Sequence, residues 1–189
     1  MYSVVVADDE PIVRLYLEEL LSNNGHEVVG SVADGYDAIE LCRRVRPDFV
    51  ILDINMPVVS GLDAAKIINE EELAGFTLIL TAYKDKAIAC QAAEAEVMGY
   101  IVKPVDEGSL IPAIEIAIAK HKEFEKLSVE RDKAKIALEE RKYVDKAKHI
   151  LMKKRNLSEE KAKSYMRKAA MDKGCRIGDI AKIIIKTNQ

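Results

Sequence analysis

Five short hydrophobic runs divide the first hundred residues, and four of them stop at a residue that carries chemistry. Ser3-Val4-Val5-Val6-Ala7 stops at Asp8-Asp9, and Phe49-Val50-Ile51-Leu52 stops at Asp53. Phe76-Thr77-Leu78-Ile79-Leu80 stops at Thr81, and Gly99-Tyr100-Ile101-Val102 stops at Lys103-Pro104. Only the run Glu27-Val28-Val29-Gly30, which stops at Ser31, lacks an obvious chemical group. Between the runs lie stretches with helical spacing: Pro11 to Leu21, Tyr36 to Val45, Leu62 to Leu73 and Lys86 to Met98. Strands alternating with helices are βαβ units, which imply a parallel sheet with right-handed crossovers. The pattern predicts an α/β fold, a doubly wound five-stranded parallel sheet of order 2-1-3-4-5. In such an open sheet, ligands bind just beyond the carboxyl ends of the strands. Asp8, Asp9, Asp53, Thr81 and Lys103 are therefore expected to meet in one pocket.

Up to three carboxylates brought together repel and raise one another's pKa. A hard divalent cation relieves the conflict, and Mg2+ takes one or two carboxylates together with waters and phosphate oxygens. A carboxylate is also a nucleophile toward a phosphoryl group. Phosphoryl transfer then needs mainly positioning and charge neutralisation, which Mg2+ and the Lys103 ammonium supply. Thr81 is placed to donate a hydrogen bond to a phosphoryl oxygen, and Asn55 to offer a backbone carbonyl to the metal. A hydrolase with an aspartate nucleophile commonly needs a second aspartate two residues on, as the acid. That position here is Asn55. The expected chemistry is a domain that phosphorylates and slowly dephosphorylates itself, a switch and not a turnover enzyme.

These motifs resemble the receiver domain of two-component response regulators, a flavodoxin-like fold. They are Asp8-Asp9-Glu10-Pro11, Leu52-Asp53-Ile54-Asn55-Met56-Pro57, Gly61, Thr81-Ala82 and Lys103-Pro104. The resemblance covers roughly residues 2–122. It implies that Asp53 is the phospho-acceptor and that Asp8, Asp9 and Asp53 hold Mg2+ with the Asn55 carbonyl. Thr81 would be the hydroxyl switch, Tyr100 the aromatic that moves with it, and Lys103-Pro104 a cis bond. The phosphate would come from a sensor histidine kinase.

The net charge of −3 conceals a division along the chain. Residues 1–120 carry 9 Lys+Arg against 21 Asp+Glu, residues 121–140 carry 5 against 6, and residues 141–189 carry 15 against 5. An acidic front and a tail of net +10 are expected where only the tail meets a polyanion. No apolar stretch approaches the roughly 18 residues of a membrane span, and no signal-peptide pattern opens the chain. Cys42, Cys90 and Cys175 are too few and too scattered for a disulfide framework or a zinc site. The reading is a reduced, cytoplasmic protein with no membrane partner.

After Ser109 the punctuation stops: apart from Pro112, placed in a first helical turn, no Pro or Gly appears until Gly174. Lys120 to Arg141 reads as a long exposed helix with Phe124, Leu127, Ala134 and Leu138 at 3-4 spacing, interrupted by Arg131. It is either a single helix or a flexible linker, or it pairs with its copy in a homodimer; pairing is the favoured reading. Three short helices are expected after it. Tyr143 to Lys154 has Tyr143, Val144, Ala147, Ile150 and Leu151 inward. A second runs from an N-cap at Ser158 to Lys173 with Ala162, Tyr165, Met166, Ala169 and Ala170 inward, and Gly174 ends it. The third spans Ile177 to Ile185, with Ile177, Ile180, Ala181 and Ile184 inward. The expected division is a receiver over 1–122, a coiled-coil-like linker over 123–140 and a small all-α domain over 141–189.

The tail resembles the ANTAR domain, an RNA-binding output module of transcription antiterminators. The match runs from about Arg141 to Ile185. It includes Ala147-Lys148 with Leu151-Met152, Ala162 and Arg167 with Ala170-Met171, and Ile180-Ala181 with Ile183-Ile184. His149 stands where the family usually has Gly. Overall similarity points to the ethanolamine-utilisation antiterminator regulators within that group. The resemblance implies binding to paired RNA hairpins in leader transcripts, which prevents a terminator from forming. RNA is read sequence-specifically through exposed loop bases. The candidate contacts are Lys148, Arg155, Arg167, Lys168 and Lys182, with Tyr165 as a stacking ring. The alternatives are a DNA-binding output, for which no recognition helix with base-reading side chains is evident, and a protein-interaction output, against which the basic tail argues. Phosphorylation of Asp53 is expected to act through Thr81 and Tyr100 on the surface near the helices after Asp85 and Asp106, and so to favour the dimer.

Overall fold

Valine, isoleucine and leucine fill the central strands without alternation, as expected where helices cover both faces of a parallel sheet. The computed structural model describes residues 1–82 and 86–188 and, for 86–89, the backbone alone. Asp85 lies outside the described residues. The strands are β1 (Ser3–Ala7), β2 (Glu27–Val32), β3 (Phe49–Asp53), β4 (Phe76–Thr81) and β5 (Gly99–Val102). All pairs are parallel, in the order β2-β1-β3-β4-β5. The helices between them are α1 (Pro11–Asn23), α2 (Gly35–Val45), α3 (Gly61–Glu70) and α4 (Lys86–Glu94), followed by α5 (Glu107–Arg155).

Alternate residues of one strand feed different layers of core. Val5, Ala7, Val50, Leu52 and Ile79 pack with Ala38, Ile39 and Cys42 of α2 and Ala64, Ala65 and Ile68 of α3. Val4, Val6, Phe49, Ile51, Leu78 and Leu80 pack with Leu17, Leu20 and Leu21 of α1 and Leu110, Ile114 and Ala117 of α5. The edge strand β2 is only partly buried. The crossovers thus leave every strand's carboxyl end at one side of the sheet.

The ends of α3 and α4 fall three or four residues earlier than the apolar periodicity suggests. Glu72 and Glu96 adopt left-handed backbone angles (φ 52° and 55°). Behind them the Leu73 and Val97 amides donate to the carbonyls of Ile68 and Ala92, five residues back. This is a helix-terminating turn with a hydrophobic residue following it. Leu73 is buried as the residue after the turn, not as part of the helix.

The separate helices expected between Ser109 and Lys154 are one helix. α5 contains 49 residues, because nothing between Pro112 and Arg155 interrupts the backbone ladder. It ends where Asn156 turns left-handed (φ 52°). Its start is set by Asp106, whose carboxylate accepts from the Ser109 amide at 2.8 Å. Pro112 therefore lies in the second turn, not the first.

The chain forms two compact units, Met1–Phe124 and Glu125–Gln189. The second contains the end of α5 with α6 (Glu159–Lys173) and α7 (Ile177–Lys186). The Ser158 hydroxyl caps α6 by accepting from the Lys161 amide, and Gly174 (φ 60°) closes it. Leu151, Met166, Ile180 and Ile185 meet around Ala147, Ala162, Ala170 and Ala181. Those four alanines, which the sequence alone leaves open to either core packing or RNA approach, are core positions.

Candidate functional site

The pocket at the carboxyl end of the sheet is organised by Lys103. Its ammonium lies 2.7 Å from Asp53 Oδ1 and 2.8 Å from Asp8 Oδ2, with Glu10 Oε1 at 3.8 Å. Lys103 follows β5 directly, and the Lys103–Pro104 bond is cis. Asp8 and Asp53 are both buried, at the ends of the adjacent strands β1 and β3. The second oxygen of Asp53 accepts from the Asn55 amide at 2.7 Å, which fixes the carboxylate at both ends. Gly61 lets the chain after β3 return closely: a Cβ there would stand 1.9 Å from the Asp53 carbonyl oxygen. Thr81 ends β4 and is buried, whereas Tyr100 on β5 is half exposed.

Asp8 accepts from the Glu10 amide through Oδ1 at 3.0 Å. Its Oδ2 is sealed from solvent and, among the described residues, has no well-formed hydrogen bond and the Lys103 ammonium as its one close cation. Burial pushes the Asp8 carboxyl above its ordinary pKa, although the adjacent Lys103 ammonium pulls it down. Lys103 moves upward as well. Burial opposes its charge, but Asp53 and Asp8 together outweigh that. One ammonium is thus shared between two buried carboxylates.

One carboxylate oxygen each of Asp8, Asp9 and Glu10 lies within 4.8 Å of the others. This all-oxygen group, whose Asp8 member is buried and lacks a hydrogen bond at Oδ2, fits a hard divalent cation. Asp53 faces Lys103 and is not a member of that group. Arg14 escapes sequence reading. Its guanidinium donates to the Asp8 carbonyl at 2.7 Å and contacts that of Asp9 at 3.4 Å, bracing the acidic turn from α1. A lone arginine one turn after Asp-Asp-Glu-Pro was the available signal.

In the second unit the tail candidates divide. Lys148 is held by Glu159 at 2.8 Å and Asp145 at 3.2 Å and is largely covered. Arg167 and Lys168 of α6 are exposed. Arg155 lies over the ring of Tyr165 (5.1 Å to the centroid) and Lys182 over the ring of Tyr143 (5.2 Å). Tyr165 and Tyr143, both expected inward, are 43% and 39% exposed. His149 causes no packing conflict, since it is exposed and its Nδ1 lies 2.8 Å from the Asp145 carbonyl.

Comparison with known proteins bears on each unit. Residues 4–115 match the Response regulator receiver domain family, and residues 132–185 match the ANTAR domain family. The Transcriptional regulatory protein PdtaR of Mycobacterium tuberculosis is 36% identical over 184 residues, 97% of this chain and 89% of its own length. A LuxR-family two-component response regulator from an Aurantimonas species superposes with a TM-score of 0.59 at 34% identity, covering 64% of this chain and 86% of its own. The chemotaxis response regulator CheY4 of Vibrio cholerae does so with a TM-score of 0.58 at 27% identity, covering 62% and 98%. The similarity to PdtaR spans nearly the whole chain and that to the two solved structures a little under two thirds of it, and none of the three singles out the ethanolamine-utilisation regulators.

Proposed function

From the premise that this chain belongs to the response regulators, with a receiver domain and an ANTAR output domain, we propose that phosphorylation of Asp53 switches on RNA binding by its tail. The receiver is a phospho-accepting switch and not a turnover enzyme. In the proposed reaction, an Asp53 carboxylate oxygen bonds to phosphorus as the P–N bond of a kinase phosphohistidine breaks. The imidazole leaves with the electron pair and takes up a proton. Lys103, already beside Asp53, stays to neutralise the new phosphoryl oxygens. Asp8, Asp9 and Asp53, with the Asn55 carbonyl, would hold Mg2+, and Glu10 lies in one acidic group with Asp8 and Asp9. Bound there, Mg2+ would supply positive charge to the transferring phosphoryl group. Thr81 then turns to the phosphoryl oxygen and Tyr100 moves from its exposed position.

The output reading assigns the receiver to 1–122, the linker to 123–140 and the RNA-binding domain to 141–189. Its ligand is a pair of RNA hairpins in a leader transcript, and its effect is to prevent transcription termination. Phosphorylation would bring two chains together through the receiver and α5, giving two tails for two hairpins. No helix among the described residues is long and apolar enough to cross a membrane, and a cytoplasmic site of action suits a regulator of nascent RNA. The observation that carries the reading is the pairing of a Lys103-centred carboxylate pocket with an ANTAR-matching tail of net +10. A DNA-binding output is not favoured, because the output match is to ANTAR.

The test compares wild type with Asp53→Asn, each with and without Mg2+ and a small acyl-phosphate donor, on a two-hairpin leader RNA and a duplex DNA of equal charge. Donor-stimulated, RNA-selective binding by wild type alone is the expected result. Preference for the duplex would replace antitermination with promoter control, and equal stimulation of Asp53→Asn would remove Asp53 as acceptor.

A further inference from the structure

Four cations of the second unit divide by the kind of partner they meet. Lys148 is tied to two carboxylates, and Arg176 lies 3.7 Å from Glu140. Arg155 and Lys182 instead rest on tyrosine rings, and among the described residues neither has a carboxylate within ion-pair distance. Tyr143 and Tyr165 stand outside the apolar core formed by α5, α6 and α7. Each ring remains about two-fifths exposed, and neither hydroxyl makes a hydrogen bond within the described residues. Rings that served only to fill the interior would be covered, with their hydroxyls satisfied.

A π-face and a positive charge free of a carboxylate at one exposed spot are what a nucleotide offers partners for. The base stacks on the ring, and the cation meets the neighbouring phosphate. We propose that Tyr143 with Lys182, and Tyr165 with Arg155, are two base-stacking platforms for unpaired RNA bases. The inference rests on the RNA reading above and adds its chemical class: exposed loop bases, recognised in part by stacking. Along α5, the residues that anchor the two platforms, Tyr143 and Arg155, are twelve positions apart. That is about 18 Å along the axis and a third of a turn around it. Successive stacked bases rise only about 3.4 Å, so the two platforms take bases that are not adjacent. Tyr143 is the new member, because helical periodicity alone assigns it to the core.

The full-length protein is tested on a pool of RNA hairpins sharing one stem and carrying randomised loops. The best-retained loop is then assayed against Tyr143→Leu, Tyr165→Leu, the double variant and the Tyr→Phe counterparts. Each Leu variant is expected to lose affinity on the order of ten-fold, and the double variant on the order of a hundred-fold. The Phe variants should bind like wild type. The salt dependence should keep its slope, since no charge has been removed. Abasic replacement in the loop is expected to weaken wild-type binding at two non-adjacent positions, and this arm holds even if a Leu variant fails to fold. Full affinity in folded Leu variants, or indifference to every abasic position, would overturn the platforms and leave the RNA reading intact. A pool retained no better than looped-out duplex DNA would overturn both.

Discussion

At Asp8 a buried carboxylate shares its one close cation with Asp53. Burial raises its folded-state pKa above 3.8, so the folded protein holds that proton more tightly than the unfolded chain. The resulting stabilisation is fully present below the ordinary carboxylate value. It is lost as pH rises through the raised one, and above that the ionised group costs stability. Asp8→Asn should therefore melt higher than wild type at neutral pH in the absence of divalent cations, on the order of a few degrees. The gap should close toward acid pH. Mg2+ should raise the melting temperature of wild type more than that of the variant, by binding only the folded acidic turn. Melting curves over a pH series, with and without Mg2+, measure both effects. Identical melting temperatures at neutral pH would mean that Lys103 fully compensates Asp8.

Phe124, Leu127, Ala134 and Leu138 mark a 3-4 seam along α5, and Phe124, Leu127 and Leu138 are more than half exposed. Arg131 falls on that seam, with its guanidinium engaged by its neighbours Asp132 and Ser128. If the seam pairs two chains, Arg131→Leu tightens the dimer and Leu127→Glu loosens it, each by at least about ten-fold given the apolar area at stake. Sedimentation of the phosphorylated proteins measures this, and indifference to both substitutions would place the dimer contact elsewhere. The seam was legible in the sequence, as were the strands, because a strand buried on both faces is an unbroken apolar run. The charged residues at the strand ends were legible for the same reason, since fold topology alone brings Asp8, Asp53 and Lys103 together. Helix ends were less so: Leu73 continues the periodicity of α3, but a left-handed Glu72 ends the helix first. Partners from a different helix were not legible at all. Lys148 looks like a free cation in sequence, and only the approach of α6 brings Glu159 to it. Tyr143 looks internal by spacing, yet it stays 39% exposed and meets Lys182 of α7 through its ring.

Across the whole chain, an acidic first 120 residues and a basic last 49 assign opposite roles toward a polyanion. The front, with a net charge of −12, repels RNA phosphates and gains further negative charge when phosphorylated. If phosphorylation activates RNA binding as proposed, electrostatic attraction of RNA to the receiver does not explain it. In the proposed dimer, what phosphorylation changes is how many basic tails one RNA meets. Two tails joined through their chains convert the second hairpin's binding into an intramolecular event, which multiplies affinity by about 10²–10⁴ without any new contact. The phosphorylated protein should thus bind a two-hairpin RNA far more tightly than either hairpin alone, while unphosphorylated protein shows little difference. The slope of log affinity against log salt should be roughly twice as steep for the two-hairpin RNA, because twice as many phosphates are neutralised. Lengthening the RNA spacer should erode the advantage gradually, and Leu127→Glu should remove it while leaving single-hairpin binding unchanged. Titrations of one- and two-hairpin RNAs over a salt series decide the matter. An equal gain from phosphorylation on a single hairpin would show that the switch unmasks each tail and does not join two.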